Sequence, residues 1–402
     1  MTTTEDLCTV VGEASPPTAP RQVRTGYSWN PSDRIAGIEA TRAAVAGTDP
    51  KLLLVFPSFR DDLRELLDGV QEVASDVPLV GCTTAGEIGP GPVLCSGVLV
   101  VALSGDFSVT TGCASGVAER PRQVGEDIAS SLLPLPDRPH NAVVVLTDAL
   151  FGNQQEMVRG AYGVLGASVP LVGGGAGDDM QMVTSRQIFD GKILQDTAVA
   201  ACIGSDAPFG FSVRHGWQPQ GEPFMVTGSS GNDLYMLDDQ PALDVYLNRH
   251  NAPPGIETRP RDFMRFALTR PLSVARRGDV AIRHVLGAYP DTRGLRCAGP
   301  VPRGATLWLA QGDVDSTLSS ADVACAEAVS ALPDRTPLGL FVFDCAGRRS
   351  VMGDAGIREE RRLIRAHAGG APIAGFYCFG EVGRVRGAGG FHNQTIVAFA
   401  LG

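Results

Sequence analysis

One arrangement occurs three times along this chain and restricts the fold more than any other feature of the sequence. A strand-length run of Val, Leu and Phe leads through a helical stretch to a second apolar run with proline at its second position and glycine at its fifth. The first occurrence starts at 52–56, crosses 61–73 with apolar side chains at Leu63, Leu66, Leu67 and Val70, and reaches Val77-Pro-Leu-Val-Gly81. The second starts at 142–146, crosses 156–166 and reaches Val169-Pro-Leu-Val-Gly173. The third starts at 338–343, crosses 357–367 and reaches Ala371-Pro-Ile-Ala-Gly375. Each then enters a glycine-rich turn closed by an acid, at Glu87, Asp178 and Glu381, and each continues into a further apolar run at 97–103, 197–203 and 394–401. Such self-similarity marks a repeated supersecondary unit. A strand, helix, strand, turn, strand unit with Val-rich strands predicts mixed sheets covered by helices, α/β or α+β in class, in two domains.

The three occurrences set the expected boundaries. Residues 1–24, with Pro16, Pro17 and Pro20 among Ser, Thr and Glu, show no apolar periodicity and are expected to be a disordered tail. Two units then make an N-terminal domain over 25–225, with additional strands expected at 107–111 and 211–215. A C-terminal domain over 226–402 holds a dissimilar stretch and the third unit. Within that stretch a helix is expected near 241–247, and ten arginines fall between Arg259 and Arg303 among Asp and apolar residues, the pattern of a solvated face with local ion pairs. With 402 residues, 44% of them apolar, the chain has the material for two cores.

Charge and motifs exclude several classes. A formal charge of −10 gives no footprint for nucleic acid, whose phosphates demand clustered Lys and Arg, and it disfavours anionic membranes. The apolar runs fall well short of the roughly 18 residues of a membrane span, and the start lacks the basic and apolar regions of a secretory signal, so a cytoplasmic protein without membrane insertion is expected. Nine scattered cysteines without a C-x-x-C pair suit free buried thiols. Gly173-Gly-Gly-Ala-Gly-Asp178 follows a strand as a dinucleotide turn would, but Asp178 stands where the last glycine belongs and would repel a pyrophosphate. Walker lysine, G-x-S-x-G elbow and H-E-x-x-H are all missing, so no enzyme is expected.

What remains is a binding reading. Glycine lets backbone turn sharply and a ligand approach closely, and an acid beside backbone N–H groups makes a polar cradle for a small molecule carrying an amino or hydroxyl group. The third turn is the richest. Phe376, Tyr377 and Phe379 add aromatic surface beside Cys378 and Glu381, and a glycine turn at 387–391 leads into His392-Asn393-Gln394-Thr395. The candidate ligand contacts are Gly375, Tyr377, Cys378, Gly380, Glu381, His392 and Asn393, joined by Glu87 and Asp178 from the other turns. For His392 a ligand contact, a haem ligand, a pH-sensitive hydrogen bond and a structural strand cap all remain open. His215 and His284, each alone in an apolar alternation, are weaker candidates.

Three segments together, Val80-Gly-Cys-Thr-Thr-Ala-Gly-Glu87, Val172-Gly-Gly-Gly-Ala-Gly-Asp178, and Gly375-Phe-Tyr-Cys-Phe-Gly-Glu381 followed by Phe391-His-Asn-Gln-Thr395, resemble the hallmark segments of FIST proteins over about residues 25–402. The resemblance implies an intracellular sensory module for a small ligand such as an amino-acid-like metabolite. It implies signalling through a separate partner, such as a histidine kinase or a cyclic-dinucleotide enzyme. It also carries two alternatives: a haem-binding nitric-oxide sensor with His392 as the axial ligand, and a ligand-free interaction scaffold.

Overall fold

The structure, a computed structural model, describes residues 19–60, 62–91, 96–276, 279–384 and 390–402. Most of the expected tail (1–18) and most of the expected 387–391 turn lie outside the described residues. Each of the three similar segments builds one strand triplet. Pro50–Pro57 runs parallel to Leu79–Cys82 and antiparallel to Val98–Ser104. His140–Thr147 runs parallel to Leu171–Gly175 and antiparallel to Thr197–Ser205. Gly339–Cys345 runs parallel to Ile373–Cys378 and antiparallel to Ile396–Leu401. The parallel pairs need a crossover, and the helices Leu63–Val73, Gln154–Leu165 and Ala346–Ala368 supply it. The mixed α/β class is therefore present, with strands of both directions in each of these sheets.

The edges differ from the expectation in instructive ways. Gln22–Ser28 adds to the first sheet beside Val98–Ser104, so the chain is already in a strand at Gln22, inside the stretch expected to be tail. Its buried Val23 contributes to the core, which outweighs the polar composition around it. The strand Phe209–Arg214, from the N-terminal half, pairs with Ile396–Leu401 from the end of the chain. The boundary expected at 225/226 falls inside the unbroken strand Gln218–Ser230.

The three sheets face one another. Leu54 and Phe56 from the first, Val144 and Leu146 from the second, and Phe343, Phe376 and Phe399 from the third belong to a single apolar core. Phe56 and Phe376 pack with ring centroids 4.9 Å apart and planes tilted by 38°. Because successive side chains on a strand point to opposite faces, Leu53 and Val55 point the other way and pack under the helices Asp33–Val45 and Leu63–Val73. Both faces are buried, which is why these strands are apolar throughout instead of alternating. The stretch between the second and third segments forms a separate antiparallel sheet from Gln218–Ser230 to Thr306–Gln311. It is backed by Ala242–Arg249 and Pro260–Leu268 around a core centred on Tyr246 and Phe263. Among the described residues no helix is long and apolar enough to cross a membrane.

Candidate functional site

The three glycine turns meet. Gly177 N–H donates to Thr83 O at 2.8 Å and Asp179 N–H to Thr84 O at 3.0 Å, joining the second turn to the first. Gly175 N–H donates to Gly380 O and Phe379 N–H to Gly175 O, joining the second to the third. Ala85 N–H donates to Tyr377 O and Tyr377 N–H to Gly86 O, closing the ring between first and third. Backbone groups that a lone turn would leave to a ligand or to water are thus paired with the neighbouring turns.

Glycine earns its place here for a reason other than ligand approach. A Cβ at Gly375 would lie 1.8 Å from Val342 O, at Gly173 2.0 Å from Val145 O, and at Gly81 2.1 Å from Val55 O. In each case the neighbouring parallel strand occupies the space, and Gly375 additionally has a φ of 145°. Gly375 is therefore a packing glycine and meets no cleft. Gly380 (φ 114°) sits against the Phe391 ring, where a Cβ would fall 2.4 Å from it, and its own position borders a cavity described below.

The three acids have separate surroundings. Asp178 is fully buried and accepts from the backbone N–H of Met182 (2.7 Å), Val183 (2.7 Å) and Thr184 (2.9 Å), so it holds its own loop. Glu381 is also fully buried; one oxygen accepts from Thr395 N–H (3.0 Å) and Oγ1 (2.7 Å), the other from Cys378 Sγ (3.4 Å). Burial pushes its carboxyl up to about 8, against the Thr395 hydrogen bonds that pull it down. Glu87 alone opens on a cleft. Its Oε1 accepts from Ser58 Oγ (2.7 Å) and Thr84 Oγ1 (2.8 Å), and burial moves its carboxyl up to about 7.

That cleft, with about 640 Å³ of empty space, lies between the first turn and the helix Ala346–Ala368. Glu87 and Tyr377 line it, together with Ser58, Asp179, Arg349, Glu360 and Arg361. Arg349 lies 3.7 Å from Asp179 and 5.6 Å from the centre of the Tyr377 ring. Arg361, 8% exposed, donates to the carbonyls of Gly89 and Gly91, has Nε without a partner, and forms no ion pair among the described residues. Burial lowers its pKa, the mark of an undercompensated cation. Beneath the cleft Tyr377 OH donates to Glu360 Oε2 (2.8 Å), and the buried Arg348 pairs with Asp344 (2.5 Å) and Glu360 (3.2 Å). Burial, then the Asp344 charge, raises Glu360 well above the usual carboxylate range.

The remaining candidates fall elsewhere. Side chains at 377 and 378 leave the strand Ile373–Cys378 on opposite faces, so Cys378, with Gly380 and Asn393, borders a second cavity on the far side of the sheet. A single pocket holding Tyr377, Glu381 and His392 does not form. His392 is half-buried, its Nε2 is 2.5 Å from Gly383 O, and it lines neither the cleft nor the cavity. The Nε2 that commonly binds haem iron is engaged with a backbone carbonyl at His392 and is not presented to a cavity. Glu360 and Arg361 escaped the sequence reading because they sit in the charged run Arg358-Glu-Glu-Arg-Arg362. Their signal was position: Ile357 and Ile364 bracket them at helical spacing on one buried face.

Residues 51–240 match the FIST N domain family and residues 242–384 the FIST C domain family. An uncharacterized protein of Mycobacterium tuberculosis is 29% identical over 400 residues, spanning 93% of this chain and 98% of its own length. An uncharacterized protein of Mycobacterium bovis is 26% identical over 398 residues, covering 93% of this chain and 97% of its own. One from Methanocaldococcus jannaschii is 26% identical over 325 residues, 75% of this chain and 60% of that protein.

Proposed function

We propose a sensory role for this chain, which belongs to the FIST family: the polar cleft between the first glycine turn and the helix Ala346–Ala368 binds a small zwitterionic, amino-acid-like metabolite. One observation carries the reading. Arg361 is a buried cation with an unpartnered Nε and no ion pair among the described residues, its chain neighbour Glu360 being taken up by Arg348 and Tyr377, and it faces a cleft whose other wall presents Glu87. A ligand carboxylate would supply the missing counter-charge at Arg361, with Arg349 next to it. A ligand ammonium would lie against Glu87 and Asp179 and hold Glu87 ionised. Tyr377 supplies the aromatic wall.

Such a ligand spans two elements that already touch through Arg349 and Ala85 O, the 81–87 turn and the 346–368 helix. Its occupancy is thereby felt at the joint of all three sheets. We read that joint as the output, passed to a separate signalling partner such as a histidine kinase or a cyclic-dinucleotide enzyme in the cytoplasm. No step in this role calls for bond-breaking chemistry, so a binding protein and not a catalyst is inferred.

The test is a melting-temperature screen of the full chain against the L-amino acids, followed by calorimetric titration of any that respond. A responding amino acid at about a hundred times its Kd adds roughly 2.7 kcal/mol to folding stability. The response should vanish in Arg361→Met and in Glu87→Gln. A screen with no responder, or a responder untouched by both substitutions, overturns the assignment.

A further inference from the structure

The second cavity is a separate site. It has about 790 Å³ of empty space, part of it open to solvent, and lies where the antiparallel sheet of residues 218–311 meets the third glycine turn and the loops at 149–154 and 180–182, so both FIST segments contribute to its walls. Three polar side chains lining it are more than nine-tenths buried, and each has an atom with no hydrogen-bond partner: Gln394 Oε1 (0% exposed), Asn393 Oδ1 (5%) and His284 Nε2 (6%). Asn232, on the same wall, has a buried Oδ1 in the same condition. Each orphan costs roughly 1–3 kcal/mol of desolvation if left dry. Four around one cavity point to an occupant that meets them together.

Neighbouring bonds fix what two of these atoms offer. Gln394 Nε2 is 2.7 Å from Leu268 O, which can only accept, so the amide group is oriented with Oε1 as a free acceptor. The same Nε2 is 3.4 Å from His284 Nδ1; as the amide donates, Nδ1 accepts, and the ring proton sits on Nε2 as a free donor. Burial lowers His284 to about 4, in keeping with a neutral ring. The cavity therefore sets a donor beside acceptors. Gln154 also lines it, but its amide is taken up by Thr147 and by the carbonyls of Asp148 and Phe151; the larger apolar side chains are Leu268, Leu286, Phe379 and Phe391, and the charged lining residue, Arg296, is exposed.

We propose that this cavity binds a small uncharged molecule with a primary carboxamide attached to an apolar or aromatic body. The ligand C=O accepts from His284 Nε2–H, its N–H groups donate to Gln394 Oε1 and Asn393 Oδ1, and its body packs on Phe379 and Phe391. The site is independent of the polar cleft, which lies on the other face of the strand Ile373–Cys378.

Benzamide, benzoate and acetophenone, titrated into the full chain by calorimetry, test it. Benzamide matches the donor and acceptor pattern, acetophenone has no N–H to give, and benzoate replaces the N–H by a charge. Benzamide should bind at least roughly tenfold tighter than either analogue. Asn393→Ala and His284→Phe should each weaken benzamide roughly tenfold; Asn393→Ala should leave the melting temperature of the free protein unchanged or higher, since it removes an unpaired buried polar atom, while His284→Phe also removes the Nδ1 acceptor of Gln394, whose amide keeps its bond to Leu268 O. A purely structural role for Asn393 predicts a lowered melting temperature in Asn393→Ala instead and would overturn the assignment. So would equal affinity for the three compounds, no binding of benzamide, or crystals soaked in benzamide that show only ordered water on the orphan atoms. The amino acid that responds in the cleft screen should bind both variants as it binds the parent chain, so failure of one site is distinguishable from failure of the other.

Discussion

Glu381→Gln separates a buried neutral acid from a buried charge. Glu381 has no exposed surface, and its carboxyl rises from 4.5 in the unfolded chain to about 8 in the folded one, chiefly because burial penalises the charge. Between those values the native state holds a proton that the unfolded state has released, so stability falls as pH rises through the window and levels off above about 8. At 1.36 kcal/mol per pH unit the full window is worth about 5 kcal/mol, of which about 4 kcal/mol lies between pH 5 and pH 9. Glutamine copies the protonated acid. Its carbonyl oxygen can accept from Thr395 N–H and Oγ1, and its NH₂ takes the place of the acid proton beside Cys378 Sγ. Urea unfolding at pH 5 and pH 9 should therefore show the parent losing about 3–5 kcal/mol more than Glu381→Gln over that interval. Other groups titrate in the same range, but they do so in both proteins and cancel in the comparison. Parallel losses would refute the reasoning and place the Glu381 charge in contact with compensating groups.

Further substitutions probe the joint itself. Gly375→Ala should cost more than about 3 kcal/mol in urea unfolding, because the new Cβ falls 1.8 Å from Val342 O at a φ of 145°; a loss under about 1 kcal/mol would mean the two strands can part. Arg348→Met leaves Asp344 and Glu360 facing each other without their buried cation and should cost about 3–5 kcal/mol by the same assay. Asp178→Ala removes the acceptor for three backbone N–H groups; amide exchange at Met182, Val183 and Thr184 should quicken at least roughly tenfold, and unchanged exchange would show the loop is held by other contacts.

The strand and helix positions of the three similar segments were legible because a parallel pair with a helical crossover needs a long apolar strand, an amphipathic helix and a second apolar strand in that order. The helix expected over 61–73 is Leu63–Val73, and that over 156–166 is Gln154–Leu165. The eight-stranded sheet of residues 218–311 was not legible beyond the helix near 241–247. Its strands are irregular, as in the bulged Gln218–Ser230, whose first six residues are all exposed and show no alternation. His284, which lines the roof of the second cavity, was consequently seen only as a lone histidine.

The site itself was half legible, and the reason lies in the near-equivalence of the three turns. Glu87, Asp178 and Glu381 close similar segments, yet the first faces a cleft, the second ties down its own loop and the third is sealed under Thr395. Nothing within a turn distinguishes them. What does is the element packed beside it: for Glu87 it is the helix carrying Arg349 and Arg361, remote by more than 260 positions, as the hydrogen bond from Arg349 to Ala85 O shows. The same holds along the strand Ile373–Cys378, where Tyr377 and Cys378 are adjacent in sequence but serve different cavities because the pleat sends them to opposite faces. Similarity among the turns identifies where the sheets join. The chemistry of each join is decided by charges and amides that reach it from other parts of the chain.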